Sequence, residues 1–297
     1  MIDDGPPTLS SGALTLVLAP ETGGSIARFE YASRPGLQIP VLRGVGENPQ
    51  GVLDHASFPM VPYCNRIRGG CFSFREHDVR IANNMTGDAS PLHGDGWLTA
   101  WEVVRVDAAA AELRYMHEAG EWPWHYEARQ HFALDPTGLT ATLSCTNVSD
   151  EPMPCGLGHH PYFHCTPATR IDTDVESVWT VDEQVLPVER IAAQGRYDLR
   201  NRLVCGQGLD NGFGGWGGRA GIDDPTMPFR IEMSSPDASF FQLYSPAAGG
   251  IFVAEPVTHA NAALNAPEQE WEALGLRILE SGETMEVTMR IDVIVDR

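Results

Sequence analysis

Two adjacent imidazoles beside two aromatic rings, in Gly158-His159-His160-Pro161-Tyr162-Phe163, form the segment of this chain best suited to chemistry. Histidine has the unperturbed pKa nearest neutrality, so it can give and take protons at working pH. Aromatic faces beside it suit the apolar faces of a sugar ring as well as they suit a core. A candidate counterpart is Glu255, in Phe252-Val253-Ala254-Glu255-Pro256-Val257-Thr258. The carboxylate follows an apolar run that reads as the end of a buried strand. Pro256 is expected to stop that strand and to hold Glu255 in an extended backbone. A carboxylate fixed there loses hydration, and its pKa is expected to rise toward a general base's range. The plainer alternative is a strand-end Glu in water.

Four more polar clusters stand along the chain. Asn65-Arg66-Ile67-Arg68-Gly69-Gly70 places Arg66 just before an expected strand, with Arg68 two residues on and able to share its face. Pro91-Leu92-His93-Gly94-Asp95-Gly96-Trp97 holds His93 in a glycine-rich loop. Leu209-Asp210-Asn211-Gly212-Phe213 presents a carboxylate in an expected turn, and Asn261 and Asn265 follow Glu255. Taken singly, a loop Arg, His or Asp is more often solvated or structural than functional.

The elements that must position these residues are strands. Leu14, Leu16 and Leu18 alternate, as do Leu139, Ala141, Leu143 and Cys145, then Phe229, Ile231 and Met233, then Phe241 and Leu243. Met285, Val287, Met289, Ile291, Val293 and Val295 share one face against Glu286, Thr288, Arg290 and Asp292. Period two means half-buried strands. Clusters such as Pro20-Glu21-Thr22-Gly23-Gly24 and Ser234-Ser235-Pro236-Asp237 read as turns. The run from Ala266 to Leu274 is expected to form a short helix, and Ala108 to Ala111 a turn or helical stub. Gly212 to Gly218 is glycine-rich but is not followed by a helical pattern, which argues against a phosphate cradle. With no low-complexity linker and no internal repeat, the expected fold class is all-β, one large single-domain β-sandwich over residues 1–297.

Forty Asp and Glu against twenty Lys and Arg give a net charge of −20. That balance argues against nucleic acid and anionic membranes as partners, since both demand clustered Lys and Arg. The six cysteines are too sparse for a disulfide scaffold in 297 residues, and no CxxC pair exists. The acidic start Met1-Ile2-Asp3-Asp4 is unlike a signal peptide, and Leu14 to Ala19 is too short to span a bilayer. A soluble cytoplasmic protein is expected.

Taken in order, the clusters resemble the aldose 1-epimerase (galactose mutarotase-like) family. The matching pieces are Asn65-Arg66-Ile67 with the following Gly and Phe72, then Leu92-His93-Gly94, then His160 with Tyr162-Phe163. After these come Leu209-Asp210, and finally Glu255-Pro256-Val257-Thr258 with Asn265. The resemblance implies a mutarotase-like β-sandwich with a shallow cleft on one sheet, using neither metal nor organic cofactor. It implies Glu255 as catalytic base and His160 as catalytic acid. It further implies Arg66, His93 and Asp210, with Asn65 and Tyr162, as substrate-binding residues for a monosaccharide, in a monomer or homodimer. His160 is preferred to His159 because it stands two residues before Tyr162, as the family's histidine stands before its Tyr-Phe pair. The chemistry is coherent by itself: anomer exchange removes a proton from the anomeric hydroxyl and delivers one to the ring oxygen. His93-Gly94-Asp95, His164-Cys165 after Phe163, and the Gly214 to Gly218 elaboration depart from the commoner pattern. They leave open a pentose, hexose, deoxy sugar or sugar phosphate.

Three rivals stand beside this reading. His159, His160 and His164 have spacing compatible with a metal site, although alternation on a strand would turn His159 away. A non-catalytic carbohydrate-binding protein on the same sandwich would keep Arg66 and the aromatics without needing Glu255 and His160 together. A glycosidase needs two close carboxylates, for which Asp210 and Glu255 are the obvious pair.

Overall fold

Alternation along the strand Thr284–Ile294 sets the pattern for the molecule. Met285, Val287, Met289, Ile291 and Val293 are buried, while Thr284 and Glu286 are exposed and Thr288, Arg290 and Asp292 lie between. Val295 falls beyond the strand and is exposed. The computed structural model describes residues 5–46 and 49–295. Thr284–Ile294 is the middle member of a nine-stranded antiparallel sheet, flanked by Gly138–Asn147 and Arg230–Ser234. Leu143 sits opposite Val287 and Ala141 opposite Met289. The expected apolar faces therefore meet in register.

An eight-stranded second sheet carries the residues of interest. Its central strands Leu209–Gly214, Phe240–Ser245 and Ile251–Val257 run antiparallel. The short strands Gly158–His159 and Tyr162–His164 both pair with Ile251–Val257 on its other side. Here period two divides labour. Phe241, Leu243, Phe252 and Ala254 point into the main core shared with the nine-stranded sheet. Phe240, Val253 and Val257 point outward, into a second apolar cluster with Phe58, Trp97 and Tyr162. Each fully buried side chain of this kind contributes about 1.5–3 kcal/mol. A smaller four-stranded sheet (Thr8–Ser11, Leu14–Ala19, Ser25–Arg34, Leu37–Pro40) reaches the second sheet through a bridge between Ile26 and Ser57.

Several local expectations are corrected. Pro256 does not stop its strand, which runs on to Val257. Neighbour pairing on one side jumps from Val253 (with Tyr162) to Val257 (with Gly158), so Pro256 stands beside an interruption rather than in a continuous ladder. Asp210 lies inside a strand rather than a turn. The segment Ala266 to Leu274 is not a helix: it holds a single 3-10 turn at Glu268–Glu270. Ala108 lies in the turn before the strand Ala110–His117. Gly214 to Gly218 is a crossing, since the chain leaves one sheet at Gly214 and enters the other at Arg219. Trp216 caps that crossing, stacked on Phe241 at 5.1 Å with its Nε1 donating to Thr173 Oγ1. Among the described residues no helix is long and apolar enough to cross a membrane.

Candidate functional site

A cavity of about 360 Å³ opens on the outward face of the second sheet. Asn65, Arg66, His93, His160, Tyr162, Asp210 and Glu255 all line it. Residues up to 190 positions apart in the chain are thus brought to one cleft, with Arg43, Phe58 and Tyr244 completing its walls.

Glu255 lies opposite Gln242 in the strand register and is 2% exposed. Its Oε1 stands 3.6 Å from His160 Nε2. Its Oε2 is buried with no hydrogen-bond partner among the described residues. Burial, and then the nearby charge of Asp210, push the carboxyl well above its usual range, with Arg66 opposing. Asp210 is also raised by burial, against Arg66 at 3.9 Å and a 2.6 Å hydrogen bond from Gln242 Nε2. A carboxyl group with an unpartnered oxygen, set in an apolar wall beside an imidazole, is suited to proton exchange.

His160 follows the short strand Gly158–His159 and anchors its own N–H on the Phe58 carbonyl at 3.1 Å. Its ring stacks on Phe58 with centroids 4.2 Å apart, and His93 meets it edge-on at 5.3 Å. Burial lowers its pKa to about 3, so the ring is neutral before any occupant enters. His159 points the other way, through the sandwich, with Nε2 3.4 Å from the Val287 carbonyl of the opposite sheet. His164 is exposed at the far end of its strand, so the three histidines do not converge on one point.

Asn65 and His93 lock two loops together. Asn65 N–H donates to His93 Nδ1 (3.1 Å), and His93 N–H donates to the Asn65 carbonyl (2.9 Å). Because Nδ1 accepts, the neutral ring carries its proton on Nε2. Both residues take left-handed φ, 57° and 59°. Gly94 follows at 71°, where a Cβ would stand 2.1 Å from the Val61 carbonyl oxygen, so only glycine fits. Arg66 is oriented by Asp88, which takes both Nε (3.0 Å) and Nη2 (2.7 Å) on its Oδ2. Asn261 and Asn265 accept from the Arg66 and Arg68 N–H groups and brace the same segment. Arg68 does not share the face of Arg66. The chain turns through a 3-10 segment in which Gly69 has φ 63°, and the Arg68 head group binds the Pro187 carbonyl outside the cleft.

Four buried histidines give the protein a definite pH response. His93 sits well below the usual imidazole value, His159 and His259 are lowered to about 4, and His160 to about 3, each chiefly by burial. In His93 and His259 a ring nitrogen accepts a backbone N–H, a bond that protonation would abolish. A depressed folded pKa contributes stability above about pH 6.5 that is lost as pH falls toward the folded value. The raised carboxyls of Glu255 and Asp210 act with the opposite sign and offset part of this. Stability is expected to fall as pH drops from about 6.5 toward 4.5, because the four imidazoles take up protons on unfolding. Thermal melts at pH 7, 6 and 5 check this; an unchanged Tm would refute it.

Sequence reasoning missed Asp88, Gln242 and Arg43. Gln242 had a signal: it is a polar residue between Phe241 and Leu243 in the apolar part of its strand. Asp88 and Arg43 had none, since each sits in a connection whose charges read as solvated.

The family model for aldose 1-epimerase matches residues 7–292. An uncharacterised protein of Escherichia coli K12, YphB, is 34% identical over 96% of this chain and 98% of its own length. A crystal structure from Escherichia coli K12, provisionally described as an aldose 1-epimerase, superposes with a TM-score of 0.86 at 32% identity, over 97% of this chain and 98% of that one. A galactose mutarotase-like protein from Clostridium acetobutylicum shares the fold at a TM-score of 0.83 and 18% identity, over 96% and 94% of the two chains. With the profile spanning both sheets and one relative aligned nearly end to end, the chain belongs to the aldose 1-epimerase family.

Proposed function

We propose that the protein is an aldose 1-epimerase that interconverts the α and β anomers of a free monosaccharide by acid–base opening and reclosure of the ring, within a single domain. The observation that carries the reading is the 3.6 Å contact between two buried groups, Glu255 and His160, each with a buried polar atom that no hydrogen bond satisfies. Glu255 takes the proton of the anomeric hydroxyl while His160 delivers one to the ring oxygen. The C1–C2 bond then rotates, and closure on the other carbonyl face exchanges the roles. The pair needs one proton between its members. Burial favours the neutral arrangement, Glu255 protonated and His160 neutral, which is the state ring opening leaves behind. A proton passing from Glu255 to His160 across the short gap arms this resting pair for ring opening, and closure returns both protons to where they started. Arg66, His93, Asp210, Asn65 and Tyr162 hold the sugar's hydroxyls and apolar face, with neutral His93 offering its Nε2 proton.

Polarimetry of freshly dissolved α-anomers, with and without protein, tests this directly. Catalysed decay to equilibrium supports the reading. Saturable sugar binding without any acceleration would leave a carbohydrate-binding protein instead. Free aldoses are expected to exceed their 6-phosphates in kcat/KM by about tenfold or more, because Arg68 faces away and the cleft's two arginines, Arg43 and Arg66, are already matched by two carboxyls, Asp210 and Glu255. Activity is expected to survive EDTA. A preference for the phosphorylated sugar, or loss on chelation restored by zinc, would refute these expectations.

A further inference from the structure

Arg43 lines the cleft but has no part in the proton transfers above. Its backbone N–H donates to the Tyr162 carbonyl at 2.8 Å, and its guanidinium carbon lies 3.8 Å from the centroid of the Tyr162 ring. Stacking of this kind fixes the plane of the head group. Nη2 is committed to two backbone carbonyls, those of Leu53 and His55. Nε is buried without a hydrogen-bond partner. Among the described residues, Nη1 is the nitrogen left to meet an occupant of the cleft.

Its place in the cleft is set by its neighbours. His160 feels the charge of Arg43, whereas Glu255 feels those of Asp210 and Arg66. Tyr162, under the guanidinium, is also the ring beside His160, with centroids 4.8 Å apart. Arg43 therefore stands on the His160 side. If His160 serves the ring oxygen and Glu255 the anomeric oxygen, that side faces C5, the carbon bonded to the ring oxygen, and its exocyclic C6.

We propose that Arg43 is a specificity-determining residue whose Nη1 donates to the C6 hydroxyl of an aldohexose, an assignment that rests on the aldose 1-epimerase reading. The geometry selects a hydroxyl over a phosphate. A guanidinium grips a phosphate through parallel N–H groups on two nitrogens. With Nη2 held by carbonyls and Nε enclosed, Arg43 offers only one.

The test measures kcat/KM on an aldohexose, its 6-deoxy analogue and the aldopentose of the same C2–C4 configuration, in both the gluco and galacto series. Wild type, Arg43→Met and Arg43→Lys are compared. Loss of a hydrogen bond to a charged donor predicts a wild-type preference for the hexose over its 6-deoxy analogue of roughly 10- to 100-fold. In Arg43→Met that ratio is expected to fall close to one while activity on the 6-deoxy sugar and the pentose persists. Arg43→Lys, which keeps a charged donor, should retain part of it. Equal wild-type values on hexose and 6-deoxyhexose would overturn the assignment without any variant, as would an unchanged ratio in Arg43→Met. If the wild type accelerates no aldose, the epimerase reading falls and this inference with it; if only the ratio fails, the reading stands and Arg43 alone is misassigned.

Discussion

Replacing Glu255 with Gln is expected to lower kcat for mutarotation by about 10²–10⁴-fold, the usual cost of losing a positioned general base. The amide keeps the shape of the carboxyl and the strand register opposite Gln242, so the cleft wall is preserved. It cannot take a proton. The same change is expected to leave Tm unchanged or raise it, because a neutral amide carries no charge that burial can penalise. Loss of activity with retained stability separates a chemical role from a structural one. More than a tenth of wild-type kcat, in a protein that still melts cooperatively, would falsify the base assignment.

The tandem histidines give the second large contrast. His160→Asn is expected to lose about 10²-fold or more in kcat, since its ring faces Glu255 across the cleft. His159→Asn should keep most of its activity yet unfold more easily, by about 1–3 kcal/mol, because it leaves a gap in the interior against Val287. One variant thus loses rate and its immediate neighbour loses stability. Measuring kcat and Tm on both decides the matter: inactivity of a well-folded His159→Asn would mean the roles are reversed.

Much of this architecture was legible because alternation reports which residues face inward. The runs at Gly138–Asn147 and Thr284–Ile294 are strands with the alternation their patterns implied, and the structure pairs them. The tandem histidines and Glu255 stood out by chemical type and setting, whereas the choice of His160 within the pair came from the family resemblance. What was hidden depended on register and on tight turns. That Gln242 lies opposite Glu255 and reaches Asp210 follows from which residues pair across strands, and no single strand states this. Arg68 was misjudged because the extended backbone ends at Arg68 itself, where a 3-10 turn begins, and its head group goes to the Pro187 carbonyl. Pro256 misled because a proline's usual effect on a sheet assumes a continuous neighbour, and here the neighbour is broken. Arg43 and Asp88 look like ordinary surface charges until the chain closes around them.

The strand Ile251–Val257 serves two masters on alternate residues: Phe252 and Ala254 belong to the interior, Val253, Glu255 and Val257 to the outward side. Substitutions in one set touch different partners from those in the other, so they should couple less across the sets than within either one. A lineage can therefore drift toward a new sugar by altering outward positions of Leu209–Gly214, Phe240–Ser245 and Ile251–Val257 without renegotiating what keeps the sheets together. A combinatorial library confined to those outward positions should yield mostly folded proteins of diverse preference, whereas one of equal size on the inward positions should yield few that fold.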